Sequence, residues 1–235
     1  MTDLPLALSF FDTARDLSGT ARAGMTLLFE GKAPTTLPEG PEVERGSEGA
    51  FQAKLRDELE LEFTPVSEAA RLTGLRTTLC KVTGTVRGSP VDCLGTATET
   101  TEPPVWSELD AVRGVTAVFG EDRAAFLLAR RPRGTIGHGQ EMVEAKLLLD
   151  GELTDVETAR ISTVYDGDGR QRSAGLELFL PGEDFPRRAS GSVRAGASLS
   201  LEGLRVDAAV FDWRMEGREG VGAYELAARD EQEAA

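Results

Sequence analysis

Histidine and cysteine are almost missing from this chain, which holds one His (His138) and two Cys (Cys80, Cys93) in 235 residues. Structural zinc and iron–sulfur sites draw on four ligands of these types, so the sequence lacks a set for either, and no cofactor or metal is expected. A serine or cysteine triad would have to use His138, and no Gly-x-Ser-x-Gly elbow is present, which argues against a hydrolase. Positive charge is also short: 26 Lys and Arg face 40 Asp and Glu, for a net charge of -14. Phosphate backbones and anionic lipids are bound by clustered Lys and Arg, so neither nucleic acid nor a membrane surface is an expected partner. No apolar run approaches the roughly 20 residues that span a bilayer. The opening MTDLPLALSFF has no basic n-region and is interrupted by Pro5, which leads to the expectation of a cytoplasmic protein. In a reducing compartment two free thiols are expected, although Cys80 and Cys93, on opposite arms of one hairpin, could bridge. Helical periodicity is lacking too, since no long window keeps apolar residues at i, i+3 and i+4 between a cap and a stop.

What the chain has is alternation. From Leu55 to Phe63, Leu55, Leu59, Leu61 and Phe63 share one face and Arg56, Glu58, Glu60 and Glu62 the other, as in a half-buried strand. Leu204 to Leu226 reads as a long strand, a turn at Gly217-Arg218-Glu219-Gly220 and a returning strand. Leu75 to Glu99 echoes it, opening on the same Leu-Arg pair, turning near Gly88-Ser89-Pro90 and returning through Gly95. A weaker echo sets Asp12, Arg15 and Pro34 against Asp110, Arg113 and Pro132 at constant offset. Together they suggest a diverged internal duplication. Thr20 to Glu30 reads as one strand and the Pro-, Gly- and Glu-rich Thr35 to Gly49 as a loop. Further strands are expected at Val112–Phe119, Arg123–Arg131, Glu141–Leu149, Thr158–Tyr165, Gln171–Leu180 and Ser190–Leu201. The segment Thr100-Thr101-Glu102-Pro103-Pro104 is the expected boundary, giving a reduced N-terminal β-barrel lobe over 1–104 and a C-terminal one over 105–235. The predicted fold class is therefore all-β, two packed lipocalin-like barrels, with one large flattened antiparallel barrel as the alternative.

Asp166-Gly167-Asp168-Gly169 resembles the start of a calcium loop, but Arg170 and Gln171 stand where an oxygen ligand and the sharp-turn glycine belong. His138 precedes a strand whose Glu141, Val143, Ala145, Leu147 and Leu149 share a face. Glu141 is thus placed at the rim of an interior, as an acid or base with a raised pKa or as the partner of Arg130, Arg131 or Arg133. Every Trp and Tyr (Trp106, Trp213, Tyr165, Tyr224) lies at or beyond the proposed boundary, where such residues line ligand cavities or, more often, build core. From Asp207 to Met215 both alternating sets are apolar, which fits a strand between two lobes.

The run VETARISTVYDGDGRQRSAGLELFL followed by FDWRMEGREGVGAYEL resembles the C-terminal lobe of the hydroxyneurosporene-synthase (carotenoid 1,2-hydratase)-like, lipocalin-like superfamily. The likeness spans about residues 75–228, with Tyr165 to Arg170 and Asp212-Trp213-Arg214 as its most specific parts. It implies two β-barrel lobes with an apolar ligand between or within them, in a group that includes carotenoid hydratases and lipocalin-like pericyclases of polyketide biosynthesis. The chain departs at Glu102-Pro103-Pro104-Val105-Trp106, where members commonly carry Asp-His-Ser-Trp-Gly and only the tryptophan survives here. The expected function is a cofactor-free [4+2] cyclase of an apolar polyene, with a carrier of an apolar metabolite or a hydratase as alternatives. The candidate catalytic groups are Tyr165, Tyr224, His138, Glu141 and Arg131, and the candidate walls Trp106, Trp213, Phe211 and Phe126.

Overall fold

The computed structural model describes residues 4–135, 140–201 and 203–229. Strands β1 (Leu6–Asp12), β2 (Leu17–Arg22), β3 (Met25–Glu30), β4 (Ala33–Leu37), β5 (Glu42–Arg45), β6 (Phe51–Leu55), β7 (Leu59–Pro65), β8 (Ala70–Leu72), β9 (Leu75–Val86) and β10 (Ser89–Thr100) form one sheet. Strands β11 (Leu109–Gly120), β12 (Arg123–Pro132), β13 (Met142–Leu149), β14 (Glu152–Asp155), β15 (Thr158–Tyr165), β16 (Gln171–Phe179), β17 (Arg187–Leu201), β18 (Leu204–Met215) and β19 (Arg218–Arg229) form the other. The orders are β4-β3-β2-β1-β10-β9-β7-β6-β5, with β8 beside β9, and β14-β13-β12-β11-β19-β18-β17-β16-β15. Apart from β8, these are one topology drawn twice: a four-strand meander, then a second run whose last strand returns to pair with the first. Two curled half-barrels result, rather than one flattened barrel.

The stronger echo in the sequence is the closing hairpin of each copy. Arg87-Gly88 and Glu216-Gly217 both have positive φ (50 and 76, 50 and 80), as a two-residue type I′ turn demands. The turns therefore fall just before the positions expected from the sequence, between Val86 and Ser89 and between Met215 and Arg218. The weaker echo does not correspond in space, because Asp12 ends β1 whereas Asp110 lies near the start of β11. Thr20 to Glu30 is two strands rather than one, reversing at Gly24 (φ 77). The expected loop after Thr35 contains edge strands β4 and β5, the latter exposed throughout. An edge strand pairs along one side only and tolerates proline and charge, so an exposed one such as β5 shows no apolar alternation although the chain is extended.

Among the described residues three cores form. Phe10, Phe51, Leu61, Phe63 and Val82 fill the first lobe, and Val115, Leu127, Leu147, Phe211 and Trp213 the second. The third lies between the sheets and takes Phe11, Leu27, Phe29 and Leu79 from the first, and Val118, Phe126, Leu148 and Val210 from the second. This is why β18 is apolar on both faces: Ala208 and Val210 meet the other lobe while Ala209, Phe211, Trp213 and Met215 fill their own. Polar ties cross the same seam. Arg22 pairs with Glu225, and Glu144, held by Arg130 of its own sheet (2.7 Å), accepts from the Thr73 hydroxyl of the other lobe (2.7 Å).

In the first lobe the side chain of Glu99, 4% exposed, accepts from Arg45 (2.5 Å) and from Arg76 Nε (2.6 Å). Burial opposes its charge, but the two guanidinium contacts prevail and hold its carboxyl below the usual glutamate value. A depressed folded-state pKa gives stability that is full above the unfolded value of about 4.3 and is lost as pH falls through the lower folded value. Melting temperature against pH should accordingly fall on the acid side below about pH 4, and Glu99→Gln should flatten that limb. An unchanged limb would show that Glu99 is not the group titrating.

Candidate functional site

Along β11 the side chains of Arg113, Val115 and Ala117 face the lumen of the second lobe, a row that is apolar except for one buried guanidinium. Arg113 is 2% exposed. Its Nη1 donates to Thr163 Oγ1 (3.1 Å) and Tyr224 Oη (3.2 Å), and its Nη2 pairs with Glu141, whose side chain is 3% exposed. Tyr224 Oη and Thr163 Oγ1 lie 2.7 Å apart. Arg113 sits opposite Ala129 on β12, which in turn sits opposite Val143 on β13. The small alanine leaves a lane across β12, so the guanidinium reaches Glu141 just before β13. Burial pushes the Tyr224 phenol up, and Arg113 and Thr163 offset this only in part, which keeps the phenol neutral and able to donate. Phe211 packs 5.4 Å from both Trp213 and Tyr224, ring centre to ring centre.

Tyr165, Tyr224, Glu141, Phe211 and Trp213 thus converge on one lobe. Tyr165 ends β15 on the same face as Thr163 and is close enough to act electrostatically on Tyr224. Arg131 continues the lumen-facing row of Ala125, Leu127 and Ala129, and its buried Nε has no hydrogen-bond partner among the described residues. Phe126 points the other way, into the core between the lobes. Trp106 lies in the connection between the sheets, where its carbonyl accepts from Arg229 Nε (3.0 Å). His138 lies outside the described residues. The expected partner of Glu141 requires correction: Arg113 holds it, whereas Arg130 pairs with Glu144. The one signal for Arg113 in the sequence is a lone charge in an alternating apolar row.

Buried side chains pack against one another in this lumen, and a space for a ligand lies between the lobes. A cleft of about 960 Å³ opens where β1, β10, β11, β17, β18 and β19 meet, walled by Phe11, Leu94, Val118, Phe119 and Val221. Its polar groups are largely occupied. Asp12, 2% exposed, accepts from the Arg15 backbone N–H (3.2 Å) and Nη1 (2.9 Å). Arg194 donates through Nε (2.9 Å) and Nη2 (2.5 Å) to Asp212 and reaches Asp16 (3.4 Å). Cys93, half-buried on the cleft wall, is a free cysteine, and burial pushes its thiol up to about 12. At neutral pH it is not a thiolate and is a poor nucleophile. The Asp166 carboxylate is engaged within its own turn, its Oδ1 accepting from the backbone N–H of Asp168 (3.0 Å) and Arg170 (2.9 Å).

No protein-family model matches the chain, and no curated protein sequence matches it. Among solved structures it is similar to kievitone hydratase from Nectria haematococca. That likeness has a TM-score of 0.61 and 10% identity, and covers 96% of this chain and 89% of that one. At that identity the likeness is one of fold: the two-lobed, lipocalin-like arrangement of the hydratase is the arrangement seen here.

Proposed function

We propose that the chain binds an extended, largely apolar small molecule in the cleft between its lobes and promotes its cyclisation, most concretely as a [4+2] cyclase of a polyene. The observation that carries this reading is the cleft itself, about 960 Å³, at the upper end of the roughly 300–1,000 Å³ of small-molecule sites. Its ionised groups are already engaged, so what it offers a ligand is shape and fixed charge. Those suffice to hold a flexible chain folded on itself, where orientation can supply up to about 7–11 kcal/mol. A guanidinium held in place by two carboxylates is suited to polarise a ligand carbonyl as charge develops on it, and Arg194 has that setting. In this reading Arg113, Glu141 and Tyr224 support the second lobe and Phe211 is its packing, whereas Trp213, packed on Phe211, also lines the cleft.

A second reading is hydration of an alkene, favoured by the buried carboxyl of Asp12 on the cleft wall and in keeping with the name of the structural neighbour. Incubating purified protein with linear polyene precursors in water enriched in ¹⁸O separates the readings. Cyclised product above the uncatalysed background, without label, is the expected result. Labelled product would establish the hydratase. Binding without turnover would leave a carrier. Arg194→Gln should lower turnover by about tenfold while the melting temperature changes little, since the residue is part-exposed. Unchanged turnover would remove Arg194 from the chemistry.

A further inference from the structure

A second space of about 220 Å³ lies along the same seam. The strands β1, β10, β11, β18 and β19 wall both spaces. Leu94, Val118 and Val221 face the cleft, and Thr96, Thr116 and Ala223 on the same strands face the smaller chamber. Phe11 lines both. It is 3% exposed and belongs to the core between the lobes. The two spaces are therefore successive compartments of one seam, divided by a layer of packed side chains around Phe11.

The walls of the chamber differ in chemistry. The first sheet presents a belt of hydroxyls, with Ser9 opposite Thr20 on one side and Thr96 on the other, and Thr98 opposite Thr77 one step along. The second sheet presents Phe126, Ala208, Val210 and Ala223, together with the Thr116 hydroxyl, which accepts from the Ala223 backbone N–H (3.2 Å). Ser9 Oγ donates to Thr20 Oγ1 (3.1 Å), and the Thr77 and Thr98 hydroxyls are 3.1 Å apart. Each such pair holds two protons and uses one, so one proton per pair, with spare lone pairs, remains for an occupant. Buried polar groups are rarely left without partners, and Ser9, Thr77 and Thr96 of this belt are buried. The charged groups at the chamber, Arg22 and Glu225, neutralise each other. The volume falls below the roughly 300 Å³ of whole-ligand pockets, the size of a ring or a chain end.

We propose that the chamber is the terminal subsite for the ligand of the cleft: it takes a neutral end bearing a hydroxyl or carbonyl along one edge, and Phe11 is the partition past which the rest of the ligand runs. The second half of this statement rests on the proposed cleft ligand, whereas the chemistry of the chamber does not.

Calorimetric titration with cyclohexanol, methylcyclohexane and cyclohexanecarboxylate tests that chemistry alone. Cyclohexanol should bind about tenfold more tightly than either of the others. Thr98→Val should remove its advantage over methylcyclohexane, and Ser9→Ala serves as a second variant should the first melt early. trans-4-Butylcyclohexanol should bind more tightly than cyclohexanol, its tail lying past Phe11. That gain should vanish in Phe11→Trp and grow in Phe11→Leu, with binding of the ring retained in both. Methylcyclohexane binding as well as cyclohexanol, the carboxylate binding best, or no cyclohexanol binding at all would overturn the subsite. A butyl gain indifferent to both Phe11 variants would overturn the partition. A protein that cyclises no polyene yet binds cyclohexanol as described would refute the proposed function and leave the chamber standing.

Discussion

Glu141→Gln is expected to lower the unfolding free energy by about 3–5 kcal/mol and the melting temperature by on the order of 10 °C, with ligand binding per folded molecule unchanged. The cause is the charge left behind. Arg113 and Glu141 are both buried, and a guanidinium has no neutral form near neutral pH to retreat to. An amide keeps the shape of the carboxylate but not its charge, so the cation keeps its desolvation cost and loses its counter-charge. Replacing both partners by apolar residues, as in Arg113→Met with Glu141→Leu, should be milder than Glu141→Gln alone, because no charge then remains in the lumen. Tyr224 and Thr163 would still bond each other across 2.7 Å. Thermal melts beside a binding titration decide the matter. A small shift in melting temperature with lost binding would move Glu141 from the support of the lobe to the ligand site.

Gly222→Ala should be comparably damaging, for a steric reason. An added Cβ would stand 1.9 Å from the Thr116 carbonyl oxygen and 2.7 Å from its carbon, so the first and last strands of the second sheet could not approach as they do. A side chain in the way can rotate, but a backbone carbonyl in a ladder moves only with its strand. The cost should therefore reach at least the top of the usual overpacking range, about 3 kcal/mol. Gly95 occupies the matching crossing in the first sheet, its added Cβ 2.2 Å from Ser9 O, and Gly95→Ala should behave alike. Gly114 is the control, since nothing lies within 4 Å of an added Cβ and Gly114→Ala should change stability by no more than about 0.5 kcal/mol. Soluble yield and urea midpoints of the three variants test this. Equal midpoints for Gly222→Ala and Gly114→Ala would mean that the close approach is not required.

Gly95 stood out in the sequence on the returning arm of an echoed hairpin, and in those hairpins the reading went furthest. A hairpin is local: its turn chemistry and alternation are written within a few residues, as at Asp150-Gly151, which turns with φ 51 and 84. The two-sided burial of β18 was legible for the same reason, two apolar sets in one strand requiring something on each side. What alternation cannot say is what covers a face. Thr77, Thr96 and Thr98 alternate with lumen-facing residues and look like a solvated side, whereas two of them are among the buried polar residues, facing the other lobe. Arg113 was obscure on the same ground, because its partner Glu141 lies across an intervening strand, and the alanine that lets them meet carries no signal of its own. Edge strands β4 and β5 were hidden by having no pattern to show.

The core between the sheets belongs to neither lobe. Phe11 and Phe29 are buried only while the second sheet is in place, and Phe126 and Val210 only while the first is. Unfolding of either half strips apolar cover from the other, so the chain should melt in a single transition although its topology is drawn twice. Anything held along that seam gains affinity from both halves being folded and returns it as stability to both at once.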